Sequence, residues 1–213
     1  MGPPRLAAAI ANMRPQVKSA GAGETQNQSD RCTRASLRGL ERYDGEQMDR
    51  MLTAASHLLS PAEFVFHVMS PLFKCIGDSW RRGTVQIGQE HLFSSVARSV
   101  LGSLIRRYAT PSAQPLVLFT TPAGEPHEFG ILLAAMLAAS EGKRVRYLGP
   151  DMPSADIART AAEVQARTVV LGAVRSRSKA VLGRTVKAVA AALPAGTQLW
   201  LGGKAADHAA SLR

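Results

Sequence analysis

A chain of 213 residues is long enough for one large domain or two small ones, each with its own core. Apolar residues make up 46% and aromatics only 5%, which suits aliphatic and small side chains packing helices against a sheet. No apolar run approaches the roughly 20 residues of a membrane span, and the formal charge of +10 keeps phosphate, nucleic acid or an acidic protein open as partners.

Residues 1–35 are expected to form a flexible arm, because up to about residue 30 they mix Gly, Pro, Ala, Gln and Ser without apolar periodicity. They carry no signal-peptide pattern, no helix-turn-helix pattern and no basic repeat, so a cytoplasmic protein without its own DNA-reading motif is expected. Residues 36–110 are helical in pattern throughout. Leu37, Leu40 and Tyr43 mark a short first helix closed by Asp44-Gly45, and Met48, Met51, Leu52, Ala55, Leu58 and Leu59 give a second. Ser60-Pro61-Ala62-Glu63 opens a third, with Ser60 as N-cap, Pro61 at the first helical position and Glu63 completing a capping box. That helix should bury Phe64, Val68, Leu72 and Ile76, kink at Pro71 and stop between Trp80 and Gly83. A fourth runs to Tyr108 with Val96, Val100, Leu104 and Ile105 inward, and four helices on short loops predict a four-helix bundle.

Residues 109–115, with Pro111, Ser112 and Pro115, read as a linker. Over 115–213 strand and helix signals alternate. Strands are expected at 116–120, 144–148, 168–172 and 198–201, and helices at about 128–140, 153–165, 178–192 and from 204 onward. A βα repeat implies a parallel sheet with right-handed crossovers, hence an α/β domain.

Charge is unevenly spread. Residues 111–150 balance to zero, whereas 151–213 carry nine basic against four acidic side chains, chiefly through Arg175, Arg177, Lys179, Arg184 and Lys187. The cluster suits phosphate, nucleic acid or an acidic partner, and equally a solvated helix face. Cys32 and Cys75, without close spacing to histidine, imply neither a disulfide framework nor a zinc site.

Two constellations carry chemistry. Glu125-Pro-His127-Glu-Phe-Gly130 leaves the C-terminal end of the first strand, where open α/β sheets bind ligands. A histidine two residues after a carboxylate suits a metal ligand whose second ring nitrogen is held by an acceptor. Gly172-Ala173-Val174 and Leu201-Gly202-Gly203 follow the third and fourth strands, and small residues there allow close approach of a bulky ligand. No Gly-x-Gly-x-x-Gly pattern supports a dinucleotide, and no nucleophile elbow supports a hydrolase, so no catalytic role is expected. In the helical half, Trp80 is followed by nine residues and then Glu90-His91. Either these three converge at one end of the helices, or Trp80 is core and Glu90-His91 a solvated helix start.

The three sheet-side motifs resemble the methionine-synthase type of cobalamin-binding module, a helical bundle followed by a Rossmann-like, flavodoxin-like domain. That pattern is Asp/Glu-x-His-x-x-Gly, then Ser/Thr-x-Leu, then Gly-Gly. Here Glu125-x-His127-x-x-Gly130 is followed after forty-one intervening residues by Gly172-x-Val174, and after twenty-seven more by Gly202-Gly203. The Trp80, Glu90 and His91 spacing, with Pro71-Leu72, Ile76-Gly77 and Tyr147-Leu148-Gly149-Pro150-Asp151, is similar to light-sensing cobalamin regulators, the CarH-type repressors and AerR-type antirepressors. The resemblance covers residues 36–213.

It implies cobalamin, in hydroxo, aquo or adenosyl form, with His127 as lower cobalt ligand oriented by Glu125. Gly130 and Gly202-Gly203 would make room for the nucleotide tail, and Trp80, Glu90 and His91 would cap the upper face. It also implies a light-responsive regulator acting through a partner transcription factor, with direct nucleic-acid contact through basic residues left open. A corrinoid carrier for a methyltransferase is the alternative, and a cofactor-free scaffold a third. Three departures stand out. Gly172-Ala-Val174 lacks the hydroxyl and the leucine, with Arg175, Arg177 or Lys179 as candidate phosphate contacts in compensation. Arg81 stands where CarH-type sensors place a second histidine. The chain ends ten residues after Gly203, so a short last domain is expected.

Overall fold

The computed structural model describes residues 22–110, 115–174 and 179–203. The chain divides into two compact units, a helical one ending at Leu104 and an α/β one beginning at Ile105. The division falls a few residues before the expected linker, because the last turn of the fourth helix counts with the α/β unit.

The helical unit contains α1 (Ala22–Glu41), α2 (Gly45–Leu58), α3 and α4 (Ile87–Arg107). Helix α3 starts as Pro61–Glu63, passes through a π-helical turn at Phe64–Met69 and continues as Ser70–Arg81. The first helix corrects two expectations. It begins at Ala22, so it is long rather than short, and an arm cannot reach residue 35; residues 1–21 lie outside the described ones. Its buried positions include Ser29, Cys32, Ala35 and Ser36, small residues that leave no apolar periodicity to detect. The Cys32 thiol donates to the Met51 carbonyl at 3.5 Å, and burial pushes its pKa up.

Just before Pro71, where a kink is expected, the helix takes a π-helical turn. Pro71 has no N–H, and its ring crowds the carbonyl four residues back. The chain widens there, with the Ser70 N–H reaching the Val65 carbonyl five residues away. Phe64, Val68, Leu72 and Ile76 are buried as expected, and Phe73 meets Phe93 edge to face with centroids 5.3 Å apart. In α4 the buried face is Phe93, Ala97, Val100, Leu101 and Leu104, with Val96 and Ile105 only half-buried.

The capping box at α3 is present on both sides. Ser60 Oγ accepts from the Glu63 N–H at 3.3 Å, and the Ser60 N–H and Oγ donate to Glu63 Oε2 at 2.9 and 2.7 Å. Hydrogen bonding to Ser60 holds the Glu63 carboxyl below its ordinary value of 4.5. A depressed folded-state pKa adds stability that is full above the unfolded value and lost as pH falls through the folded one. Ser60→Ala should therefore lower stability of the helical unit by about 1 kcal/mol near neutral pH. Urea denaturation at about pH 7 and about pH 3 should show the gap to the parent protein closing in acid. An equal gap at both would separate the cap from Glu63.

In the α/β unit, β1 (Leu116–Thr120), β2 (Arg144–Tyr147), β3 (Thr168–Gly172) and β4 (Gln198–Gly202) form one parallel sheet in the order β2-β1-β3-β4. Helices α5 (Phe129–Ser140), α6 (Ser154–Glu163) and α7 (Lys179–Ala192) connect them. All four strands fall where the sequence places them, to within a residue. Alternation along the strands sorts the core into two faces. Leu116, Leu118, Val169 and Leu171 pack with Ile157 and Ala161 of α6 and Val189 of α7. Phe119 and Val170 pack with Ile131, Ala134 and Ala135 of α5, joined by Val117 and Ile105. Helix α5 is apolar nearly all round and buried along its length, as an all-apolar helix must be. The expected helix from residue 204 lies outside the described residues. Among the described residues no helix is long and apolar enough to cross a membrane.

Candidate functional site

The strand order fixes where a ligand can bind. From β1 the chain crosses to β2 on one side and then to β3 on the other, so the β1–α5 and β3–α7 loops diverge from neighbouring strands. Such a switch point opens a crevice at the carboxyl ends of the strands. Glu125, His127 and Gly130 lie on the first loop or its helix start, and Gly172 and Val174 at the second.

Glu125 joins the two loops. Its carboxylate is buried, at 3% exposure, and both oxygens are engaged. Oε1 accepts from the His127 backbone N–H at 3.0 Å and lies 2.5 Å from His127 Nδ1. Oε2 accepts from the Val174 N–H at 2.7 Å. The hydrogen bond to Glu125 occupies one ring nitrogen of His127, while the side chain keeps 43% of its surface exposed. Nε2 is therefore the nitrogen left for a ligand, in the orientation that outer-shell carboxylates impose on metal-binding imidazoles.

Further bonds hold the loop, from Thr121, which the sequence does not mark, and from Tyr147 and Asp151, which it marks only as part of the resemblance and gives no role in the site. Thr121 Oγ1 donates to the Glu125 carbonyl and accepts from the Asp151 N–H at 2.9 Å. Asp151 Oδ1 accepts from the Gly124 N–H at 2.6 Å, and the Met152 N–H bonds the Thr121 carbonyl at 2.9 Å. Asp151 sits at φ 62°, a left-handed conformation unusual for a side chain larger than glycine. Tyr147 donates its hydroxyl to the buried Glu128 carboxylate at the start of α5, where negative charge suits the helix dipole. The Tyr147 to Asp151 segment thus braces the histidine loop from the neighbouring strand.

The glycines differ in use. Among the described residues a Cβ on Gly130 would meet nothing within 4 Å, so space stands open there beside the histidine loop. At Gly172 it would lie 2.9 Å from Ile131 Cβ and 3.3 Å from Thr121 Cγ2, so Ile131 and Thr121 fill the room a hydroxyl residue would need. At Gly203 the missing side chain is replaced by the backbone of Ala173. Gly202 is buried, and its carbonyl accepts from the Ala173 N–H at 2.8 Å. Arg175 and Arg177, and the side chain of Lys179, lie outside the described residues.

On the helical unit, Trp80 lies at the end of α3 with 45% exposure, which favours an exposed aromatic surface over a core role. Glu90 closes the first turn of α4 and His91 opens the second. Glu90 Oε1 accepts from Ser94 at 2.7 Å, and Oε2 lies 3.4 Å from His91 Nδ1. Arg81 pairs with Asp78.

The donor set tests which metal the loop can hold. A zinc site needs three or four protein ligands, and no such cluster of His, Cys, Asp and Glu occurs among the described residues. One carboxylate-held imidazole beside open space instead fits a metal whose other positions belong to a macrocycle. His127 and its supports therefore fit such a macrocycle-held metal, a corrinoid's cobalt among them.

Comparison with known proteins agrees with that class. Residues 31–105, most of the helical unit, match the family described as B12 binding domain. The chain is 31% identical over 194 residues to the HTH-type transcriptional repressor CarH of Myxococcus xanthus, covering 90% of this chain and 64% of the repressor. It is 27% identical over 135 residues to the HTH-type transcriptional repressor CarA of the same organism, covering 63% of this chain and 45% of that one. The chain thus spans less than two thirds of either repressor. Among solved structures it is similar to the monomethylamine corrinoid protein of Methanosarcina barkeri, with a TM-score of 0.61 at 14% identity over 91% of this chain and 98% of that one. At that identity the likeness is one of fold. Together the matched domain and the two repressors support a cobalamin-binding family, and the parallel sheet is Rossmann-like.

Proposed function

We propose that the protein binds cobalamin in its α/β unit and regulates transcription in response to light through a protein partner, as an antirepressor would, without being an enzyme. The observation that carries the proposal is the Glu125 carboxylate, buried and engaged by both His127 and Val174, which leaves one imidazole nitrogen for cobalt. Likeness to two named transcriptional repressors supports the regulatory part. In this proposal His127 is the lower ligand, Gly130 leaves room beside it, and the Gly172 to Val174 and Gly202-Gly203 loops flank the tail. Trp80, Glu90 and His91 are assigned to the upper ligand, with Arg81 held by Asp78 and taking no part. Bound cobalamin would supply a visible chromophore with a light-sensitive cobalt–ligand bond. The chain's own part is to hold His127, and to couple the β1–α5 and β3–α7 loops through Glu125, so that a change at the ligand reaches both.

The second reading, a corrinoid carrier serving a methyltransferase, draws on the fold shared with the monomethylamine corrinoid protein. Visible spectra of the protein with hydroxo-, methyl- and adenosylcobalamin, in the dark and after illumination, separate the two. A bound corrinoid whose spectrum and partner affinity change on illumination is expected. Binding without any light response, together with methyl transfer to an added thiol, would establish the carrier, and no bound corrinoid would end both readings.

A further inference from the structure

A groove of about 350 Å³ runs between α1 and α2, and none of the residues assigned above to cobalamin lines it. Met51 and Ala54 are among its lining residues, and so is Leu58, the last residue of α2, with 64% exposure. Leu58 belongs by spacing to the apolar stripe of α2, yet the helical unit leaves it uncovered. Along the α1 edge run Arg31, Arg34 and Arg38, all exposed, at the i, i+3, i+7 spacing that aligns side chains on one helix face. No carboxylate lines the groove among the described residues.

We propose that this groove docks an amphipathic helix of a partner protein whose apolar stripe is flanked by aspartate or glutamate. A helical pair joined by a short turn offers a trough for a third helix, entered by apolar anchors at i, i+3 or i+4 and i+7. The three guanidinium groups repeat at that same interval, so carboxylates on one flank of the incoming helix meet them in register, and arginine forks bind carboxylates in pairs. Nucleic acid fits less well. A phosphate backbone would use the arginines but leave Met51, Ala54 and Leu58 against a charged, hydrated surface. The groove therefore supplies the chain with a surface for reaching a regulatory protein, and it does so without the cofactor.

The test uses the full chain and a fluorescein-labelled synthetic helix of about 20 residues, leucine along one face and glutamate beside it. A twin with lysine for glutamate, a scrambled peptide of the same composition, and a short DNA duplex are the comparators. Fluorescence anisotropy should show binding of the acidic helix that weakens with salt, and none of the lysine twin. Charge reversal of Arg31, Arg34 and Arg38 to glutamate should weaken it by about tenfold or more, and Leu58→Asp alone should weaken it too. Reversing the exposed Lys143, Arg146 and Arg159 instead should leave binding within about twofold, which removes net charge as the explanation. Equal binding of the scrambled peptide, or indifference to both Leu58→Asp and the arginine reversals, would overturn the proposal. So would arginine-dependent binding of the duplex in preference to the peptide. No corrinoid is present in the assay, so its failure and failure of cobalamin binding are separate results.

Discussion

Replacing His127 by alanine is expected to abolish the histidine-coordinated spectrum of the protein mixed with hydroxocobalamin while leaving the fold intact. The two halves of that statement have separate physical grounds. The side chain is 43% exposed and contributes little packing, so thermal unfolding should barely move. Its remaining ring nitrogen is the proposed cobalt ligand, so with it gone the lower cobalt position should revert to the cofactor's own base or to water. Glu125→Leu should behave in the opposite way. Removing a buried acceptor leaves the Val174 N–H without its partner, at a cost of about 1–3 kcal/mol in stability. The histidine remains but loses its orientation, which for outer-shell partners weakens metal affinity by about 10- to 100-fold. Cobalamin titrations of both variants, with melting curves beside them, separate a ligand from its support. An unchanged spectrum in His127→Ala would remove the histidine from the cobalt.

How much of this was legible in the sequence depends on whether a residue's signal is local. Helix α3 could be read from its start because Ser60 and Glu63 lie three residues apart and bond each other. The strands could be read because each is a short apolar run between turn residues, and the βα alternation then implied a parallel sheet. Glu125 and His127 could be read because the bond between them spans two residues. Helix α1 could not be read before Leu37. It buries Ser29, Cys32, Ala35 and Ser36, and small residues on a buried face imitate a polar loop. Thr121 and Asp151 could not be assigned a part in the site either. They fix the histidine loop through bonds to partners about thirty residues away, and nothing in either segment marks the other. Val174 was legible for the wrong atom. Its side chain stands where the related pattern has leucine, but the bond that ties it to the site comes from its backbone N–H. Exposure is likewise a tertiary property. Leu58 belongs by spacing with Met51, Leu52 and Leu59, and only the packed helices show it uncovered.

Gly203→Ala should be strongly damaging to the α/β unit, and its contrast with Gly130→Ala separates a glycine needed by the fold from one that leaves space. Gly203 has φ +98°, where a side chain already costs about 1–3 kcal/mol. A Cβ there would fall 2.2 Å from the Ala173 carbonyl oxygen and 2.8 Å from its carbon. The obstacle is backbone, so no rotamer change relieves it. Ala173 cannot withdraw easily, because its N–H is bonded to the Gly202 carbonyl and the residue is 2% exposed. Strain and displacement together should reach about 3–5 kcal/mol, a large share of the roughly 5–15 kcal/mol that holds a domain folded. Gly130 lies in the first turn of α5 with no described residue within 4 Å of where its Cβ would stand. Alanine there should leave stability unchanged or raise it by up to about 1 kcal/mol, since glycine is the poorer helix former. Its effect should instead be on corrinoid affinity, through the space it takes beside His127. Urea unfolding followed by cobalamin titration reads both quantities on both variants. Should Gly203→Ala unfold within about 1 kcal/mol of the parent, the β4 turn relaxes around the added methyl and its tight contact with Ala173 is not what requires glycine. Should Gly130→Ala bind corrinoid as the parent does, the open space beside the histidine loop is not where the cofactor lies.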